Sequence, residues 1–538
     1  MLKSVYQYTA VGLSVRVPQC QFASVPVCSE MMLLLLSCIL VLCLLLLLLQ
    51  GDRRFHLLPS PGPCLPLLGH FHLLIANKGT ADPVNRLWSL YKKHNKSGLL
   101  RIRVLNLELV YIGDLKTLKE VYNHPDVQGR LLPQMFEIIQ ENRGVQASSL
   151  IPGVVLSEGK GWVEQRRFTL KALKDFGFGK TSMEVIIADE IVKFQDLLKS
   201  LQGQPVDLRA QFNLPIINIL WRVVAGDQFD YGNPKLTSLL ANLTLLFQHS
   251  SSPKQQLTMA YPWMNKIGLL RRLLKRERNM KIMHRLMQMM RTSIEEHEQN
   301  LDIDHPCDFI DMVLREIRQA TDQTSSFYGE TGKENLAVTL FDLFVAGSET
   351  SSTTLSWALL YMVKNPNVQA KVQSELEQVV GRNRSPSLQD RPCLPYTEAT
   401  LMEVQRMANI GPTGVPHVTT KDVNVNGFTL PANTMVFGLF TEILKGSQWK
   451  DGTNFRPERF LNPGGGICKD PHFIPFSIGK RQCLGETLAK AELFLFFCAL
   501  LHKFTFQPEW KGAEPTEEYC AGLTILPRPF KVILKARD

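Results

Sequence analysis

The stretch PFSIGKRQCLGETLAKAELFLFF, Pro475–Phe497, sets one cysteine, Cys483, between two glycines and two cations, directly before a strongly helical run. Such a thiol can be structural, nucleophilic or a metal ligand. The neighbouring cations and the helix start both favour the thiolate form. The residues of this stretch alone leave the three roles open, and the rest of the chain has to choose among them.

The chain has 538 residues, 45% of them hydrophobic and 20% charged. After residue 70 no Pro/Gly/Ser-rich linker or repeat divides it, so one large domain behind a leader is expected. The net charge of +10 is moderate, and the Lys and Arg residues are densest in LLRRLLKRERNMKIMHR, Leu269–Arg285. That run reads as the solvated face of a long amphipathic helix, with contact to anionic lipid or an acidic partner as the alternative. Nucleic acid is excluded as a partner, because no recognition motif accompanies the charge. The eleven cysteines contain no C-x-x-C pair, which argues for a reducing compartment and against a zinc cluster.

MMLLLLSCILVLCLLLLLL, residues 31–49, is uncharged and long enough as a helix to cross a hydrocarbon core about 30 Å thick. It ends in QGDRRFH without small residues at a cleavage position, so it reads as a retained signal-anchor. Arg53 and Arg54 bias the following domain to the cytoplasmic side. Residues 1–30 form an extension without pattern, and residues 50–70 form a proline-rich hinge, LPSPGPCLPLLGH, expected to be stiff and extended. Residues 71–538 would then be the single large domain behind it.

Within that body GLLRIRVLNLELVYIGD, Gly98–Asp114, reads as a strand pair, and DVNVNGFTLPANTMVFG, Asp422–Gly438, reads likewise, with a hairpin turn at Asn426-Gly427. GLTILPRPFKVILK near the C-terminus is a third strand-like region. Most of the remainder has helical periodicity, as in Pro366–Val380, Tyr396–Met407 and Leu484–His502. The fold class is mainly α with small peripheral β-sheets, and no G-x-G-x-x-G after a strand signals a nicotinamide domain.

Three further stretches carry chemistry. In the long apolar helix Asn335–Pro366, AGSETS (Ala346–Ser351) places a glycine, an acid and an alcohol together. Buried Glu349 needs a partner or a task there, and Thr350 can bond back to the carbonyl four residues earlier. In TLMEVQRM, Glu403 and Arg406 share a helix face, and FRPERF downstream offers Arg459 as a third member. In GKGWVEQRRFTL, Trp162 and Arg166 lie one turn apart, a cradle for a carboxylate. Singly, each has a bland reading as a helix kink, a surface ion pair or a solvated arginine.

Together and in this order the stretches resemble the cytochrome P-450 family, the haem-thiolate monooxygenases, over everything from the hinge to the C-terminus. Phe476, Gly479, Arg481, Cys483 and Gly485 match the signature F-x-x-G-x-R-x-C-x-G at every fixed position. DRPCLPYTEATLMEVQR and GVPHVTTKDV look most like the animal microsomal branch that oxidises drugs, steroids and fatty acids. The resemblance implies that haem b, iron protoporphyrin IX, lies between the long central helix and the cysteine-loop helix, with Cys483 as its axial thiolate. Gly479 would let the backbone pass close to haem, and Gly485 would let the next helix pack over it. Arg481, Trp162, Arg166, His417 and Arg130 would bind the propionates. Glu403, Arg406 and Arg459 would form a buried network that holds the cysteine loop.

Thr350 with Glu349 would relay protons to the cosubstrate O2. Phe341, Phe344, Val345, Ala346, Val415 and Ile525 would line an apolar substrate chamber with Asp342 nearby, and the Phe212 region would contribute to it. NADPH would supply electrons through a separate cytochrome P-450 reductase, with cytochrome b5 as a further donor. Lys480, Lys490, Lys171 and Lys174 are its basic contacts in this reading. The expected location is the endoplasmic reticulum membrane, single-pass, catalytic domain cytoplasmic. A reductase-independent isomerase or dehydratase on the same fold, and a non-catalytic haem- or lipid-binding protein, stay open as alternatives. The acid-alcohol pair speaks against the isomerase. Two departures stand out: the usual H-x-D-P is missing before Trp449, and the extension ahead of the anchor is long.

Overall fold

The helix Gly329–Lys364 is buried on nearly every side from Asn335 onward. A segment this apolar all round can only be stable inside a core, and its 36 residues span about 54 Å at 1.5 Å per residue. It stops at Asn365 because Pro366 disfavours the helical region for the residue before it. The computed structural model describes residues 32, 34–41, 53–55, 57–62, 64–65, 68–75, 82–145, 151–177, 181–209, 211–249, 253–274 and 276–537.

Around that helix the elements that build the site are α1 (Gly159–Asp175), α2 (Asn213–Ala225), α3 (Pro234–His249), α4 (Gly329–Lys364 itself), α5 (Pro395–Ala408) and α6 (Glu486–Lys503). The largest core cluster joins α2, α4 and α6, with Phe344, Trp221 and Phe494 among its buried side chains. Glycine matters at Gly347, where α2 comes so close that a Cβ would lie 2.7 Å from Leu220 Cδ2.

One sheet holds β1 (Leu99–Val104), β2 (Leu107–Ile112), β3 (His417–Val418) and β4 (Met435–Gly438) in the order β1-β2-β4-β3. β1 and β2 pair antiparallel from Leu99↔Ile112 to Val104↔Leu107, and β2 runs parallel to β4. Val423–Val425 and Phe428–Leu430 form the expected hairpin, with positive φ at both Asn426 (49°) and Gly427 (80°), as a type I′ turn demands. The C-terminal strand-like region supplies Val532–Ala536, paired antiparallel with Phe504–Pro508. The mainly helical body with small sheets agrees with the sequence reading.

Two expectations change. The basic run 269–285 is not one long helix: Gly268–Leu273 ends at a cap on Leu274, and a second helix runs Arg276–Asn300. The described part of the proline hinge is not a free spacer but is stitched to β1. Arg101 N donates to Pro59 O at 2.7 Å, His70 N donates to Arg103 O at 2.6 Å, and the Arg103 amide donates back to His70 Nδ1 at 3.0 Å. The chain divides into two units, Met1–Arg53 and Arg54–Asp538. In the first, Met32 and residues 34–41 are helical; most of the apolar run 31–49 lies outside the described residues, and among the described residues no helix is long and apolar enough to cross a membrane.

Candidate functional site

Three arginines converge from different elements with no carboxylate in ion-pair reach among the described residues. Arg166 comes from α1, Arg130 from the loop that Gly129 pairs to Val418, and Arg481 from the cysteine loop. Their few bonds go to backbone carbonyls. Arg481 Nη2 donates to Gln128 O and Ser157 O, each at 2.7 Å, Arg130 Nη1 donates to Pro416 O at 2.7 Å and Val415 O at 3.2 Å, and Arg166 Nη2 donates to Gln482 O at 2.6 Å. What is left over is all donor: Arg130 Nε, Arg481 Nε, Arg481 Nη1 and Trp162 Nε1 are buried without a partner. The Arg481 guanidinium lies 3.6 Å from the Trp162 ring centroid, so these orphans share one place.

The electrostatics agree. Burial, with Arg130 and Arg166 adding repulsion, pushes Arg481 down to about 8, and burial pushes Arg130 down to about 10. His417, set by β3, stacks on Tyr122 with ring centroids 3.9 Å apart and bonds through Nδ1 to Val127 O at 2.8 Å. Burial first, then Arg130, hold it far below the usual histidine range. A desolvated cluster of cations and donors is costly unless an anion completes it.

Cys483 sits beside this cluster. Its accessible surface is open, yet burial raises its thiol above the ordinary value, so the sulfur faces an interior cleft with protein on its other sides. The Gly485 amide and Arg166 act in the opposite direction, toward thiolate. The loop is held by Cys483 N donating to Phe476 O at 3.1 Å. Gly479 has φ +82°, and a Cβ there would lie 2.8 Å from Tyr122 O. Among protein atoms, the close approach at Gly479 is to the Tyr122 backbone. Among the described residues beyond its chain neighbours, nothing lies within 4 Å of where a Gly485 Cβ would be.

Opposite, α4 opens on one face: Ala346 is exposed, and Val345 and Thr350 are half-buried, in a helix otherwise closed. Thr350 Oγ1 donates to Ala346 O at 2.9 Å. Thr350, Ser351 and Thr354 line a cavity of about 50 Å3 together with Phe476 and Ala489, so α4 and the cysteine loop face one space. Glu349 is 2% exposed and points elsewhere, accepting from Thr244 Oγ1 at 2.9 Å; burial pushes it up to about 7.

A second buried acid, Glu492 of α6, accepts from Ser351 Oγ at 2.7 Å, and burial pushes it up to about 8. Sequence reasoning passed over it, although an acid inside AELFLFF is a signal. Because the unfolded chain releases this proton near 4.5 and the fold keeps it to about 8, stability falls as pH rises between them. Glu492→Gln is expected to be increasingly stabilising over that window, by roughly 3–5 kcal/mol at its upper end. Thermal melts of the two proteins across the window check this; parallel curves would refute it.

The remaining candidates sort as follows. Glu403 takes two bonds from Arg406, Nε at 2.7 Å and Nη2 at 2.8 Å, one from Arg459 Nε at 3.0 Å and one from Arg456 N at 2.8 Å. This network clamps the stretch 444–459; its link to the cysteine loop is indirect, through the Phe460–Phe473 ring pair at 5.0 Å. Phe344 is turned into the core against Trp221 and Phe229, and Phe212 packs on Phe194, so neither lines the cleft. Asp342 is no free anchor. Arg143 Nη2 donates to it at 2.7 Å, and the amides of Val154 and Val155 donate to it at 2.9 Å each. Phe341 and Ile525 are buried, while Val415 is exposed. Lys490 is paired with Glu486; Lys480, Lys171 and Lys174 are exposed.

A helical body with an inward cysteine opposite an Ala-Gly-x-Glu-Thr helix defines a haem-thiolate class of enzyme. The chain belongs to the cytochrome P450 family, whose model matches residues 59–534. It is 36% identical over 475 residues to cytochrome P450 2J2 of Homo sapiens, covering 87% of this chain and 89% of that protein. To farnesoate epoxidase of Bombyx mori it is 32% identical over 483 residues, covering 89% and 94%. To cytochrome P450 2F2 of Mus musculus it is 33% identical over 493 residues, again covering 89% and 94%. It is a cytochrome P450 monooxygenase, an oxidoreductase that uses haem and O2. The residues present fit such a cofactor: a cluster of unpartnered donors suits a pair of carboxylates, and an inward thiol suits iron.

Proposed function

We propose that the chain inserts one atom of O2 into a lipophilic small molecule, by hydroxylation or epoxidation, with electrons from an NADPH-dependent reductase. The observation that carries this reading is the buried cluster of unpartnered arginine and tryptophan donors beside the thiol of Cys483. Arg130, Trp162, Arg166 and Arg481 would hold the two carboxylates of haem, with His417 beside them, and Cys483 Sγ would be the axial ligand. Bound there, haem supplies the activation of dioxygen, and a thiolate ligand favours O–O cleavage.

The protein's own part is orientation, proton supply and exclusion of water. Thr350 would turn its hydroxyl from Ala346 O toward the cleft and pass protons there, with Glu349 behind it as the source. Phe341, Val345, Ala346, Val415 and Ile525 would line an apolar chamber, which supports a lipophilic substrate. The epoxidase among the relatives makes terpenoid acids a first set to try, followed by sterols and fatty acids. Residues 31–49 would anchor the protein in the endoplasmic reticulum membrane, with 50–70 as the tether and 71–538 as the catalytic domain on the cytoplasmic side. Exposed Lys480, Lys171 and Lys174 would meet an acidic reductase face or cytochrome b5.

The test is to reduce the haem-loaded protein, add carbon monoxide and look for the red-shifted thiolate Soret band. Reductase-dependent NADPH oxidation with the lipids above is then measured. Absence of the band refutes the Cys483 assignment; a band with no lipid-stimulated turnover refutes monooxygenation of this substrate class. Thr350→Ala is expected to lower product formed per NADPH by about 10²-fold or more, the range in which a positioned proton donor acts. Unchanged coupling would remove Thr350 from the relay.

A further inference from the structure

Glu349 and Thr350 are sequence neighbours, yet their side chains leave α4 in different directions. Thr350 is bonded to the helix backbone and opens to the cleft, whereas Glu349 is buried against α3. Among the described residues the carboxyl has one side-chain partner: Thr244 of α3, whose Oγ1 donates to Glu349 Oε2 at 2.9 Å. Thr244 is itself held by Asn213, the first residue of α2, whose Nδ2 donates to Thr244 Oγ1 at 3.4 Å. Among the described residues no charged group of α2, α3 or α4 shifts this acid; burial raises it and the Thr244 bond lowers it.

That geometry is directional. An amide N–H can only donate, so Asn213 occupies a lone pair of the Thr244 oxygen and leaves the Thr244 proton to point at Glu349. With Oε2 accepting that proton, a neutral Glu349 carries its own proton on Oε1. The unbonded oxygen of the acid is therefore the one that can give a proton away.

We propose that Thr244, oriented by Asn213, is the positioning residue that fixes Glu349 as a proton donor through Oε1. This rests on the reading of Glu349 and Thr350 as a relay. In the step itself the O–H bond of Oε1 breaks, the proton passes to a water that carries it around the helix toward the cleft, and the carboxylate left behind keeps the Thr244 bond. The proton is then replaced from bulk water. Thr244 lies outside the chemistry, a helix away from Cys483 in the fold, and nothing in its local sequence marks it.

The test is infrared titration of the protonated carboxyl band, assigned to Glu349 by its loss in Glu349→Gln. In the wild type this band is expected to titrate with a midpoint near 7. Thr244→Val removes an accepted hydrogen bond that favours the carboxylate, so the band should move to higher frequency and the midpoint should rise. Thr244→Ser should restore both. Asn213→Leu, which frees the Thr244 hydroxyl without deleting it, should shift the midpoint in the same direction by less, and it serves if the valine variant does not fold. A band and midpoint unchanged in Thr244→Val, or in Asn213→Leu where only that variant folds, overturns the proposal. Normal product per NADPH in Glu349→Gln would instead overturn the relay, leaving the Thr244 bond in place without that function.

Discussion

Cys483→Ala is expected to yield a folded protein with no red-shifted Soret band in the reduced, carbon monoxide-bound state and no reductase-dependent turnover. The loss should exceed the 10–100-fold that follows removal of an outer-shell partner of a metal ligand, because here the ligand itself goes. Cys483→Ser tests the cause more closely. It keeps the size and a hydrogen-bonding atom, but an alcohol far less readily offers the anion, so the spectral signature should be absent there too. The Arg166 guanidinium and the Gly485 amide, which bias the thiol toward thiolate, have nothing comparable to act on in serine. The control is Cys498. It is free and buried in α6, where burial holds its thiol far above the ordinary range, with no cation cluster around it. Cys498→Ala should cost stability, as any cavity in the core does, and leave the band intact. A band that survives in Cys483→Ala and disappears in Cys498→Ala would reverse the assignment.

The difference between these two cysteines was visible before any coordinates, because glycines, cations and a helix start surround only one of them. Long-period features were legible in the same way: α4 from its unbroken apolarity, the hairpin from Asn426-Gly427, and the E-x-x-R helix from its periodicity. What could not be read is which side of an all-apolar helix faces empty space. Phe341, Phe344 and Val345 have equal standing in a pattern with no polar face, yet Phe344 is spent on Trp221 and Phe229. Partnerships across long sequence separations were equally invisible. Thr244 meets Glu349 from 105 residues away, and Gly479 owes its glycine to the backbone of Tyr122. The basic run 269–285 failed for a local reason: its charge pattern is continuous, but the helix stops at Leu274 and begins again at Arg276.

Glu403→Gln is expected to cost about 3–5 kcal/mol, the range for removing one member of a buried charged pair. Both side chains of the Glu403–Arg406 pair have no accessible surface, and Arg459 adds a second cation at 5% exposure. A glutamine can still accept at one oxygen, but its amide nitrogen then faces guanidinium donors, so Arg406 Nε or Nη2 loses its acceptor in a dry interior. Arg406→Lys should be nearly as damaging. Arg406 reaches Leu444 O at 2.8 Å, Gly452 O at 2.6 Å and Asn454 O at 3.3 Å besides the carboxylate, and one ammonium cannot match that planar fork. These carbonyls belong to the stretch that lacks H-x-D-P, and Arg459 adds Lys450 O and Asn454 O to the carbonyls the arginines gather there. Chemical denaturation of the haem-free protein isolates the effect from cofactor binding. The midpoint should fall sharply in Glu403→Gln and Arg406→Lys while the slope with denaturant stays constant. Removing both charges by Glu403→Leu with Arg406→Met should cost less than the sum of Glu403→Leu and Arg406→Met made singly, but it cannot return to wild type, because Arg459 and the Arg456 amide still need the lost carboxylate. Full additivity would mean that the pair contributes no more than two independent surface charges. Because the clamp's own hydrogen bonds go to the stretch 444–459 rather than to the cysteine loop, a variant that does fold should still show the thiolate band.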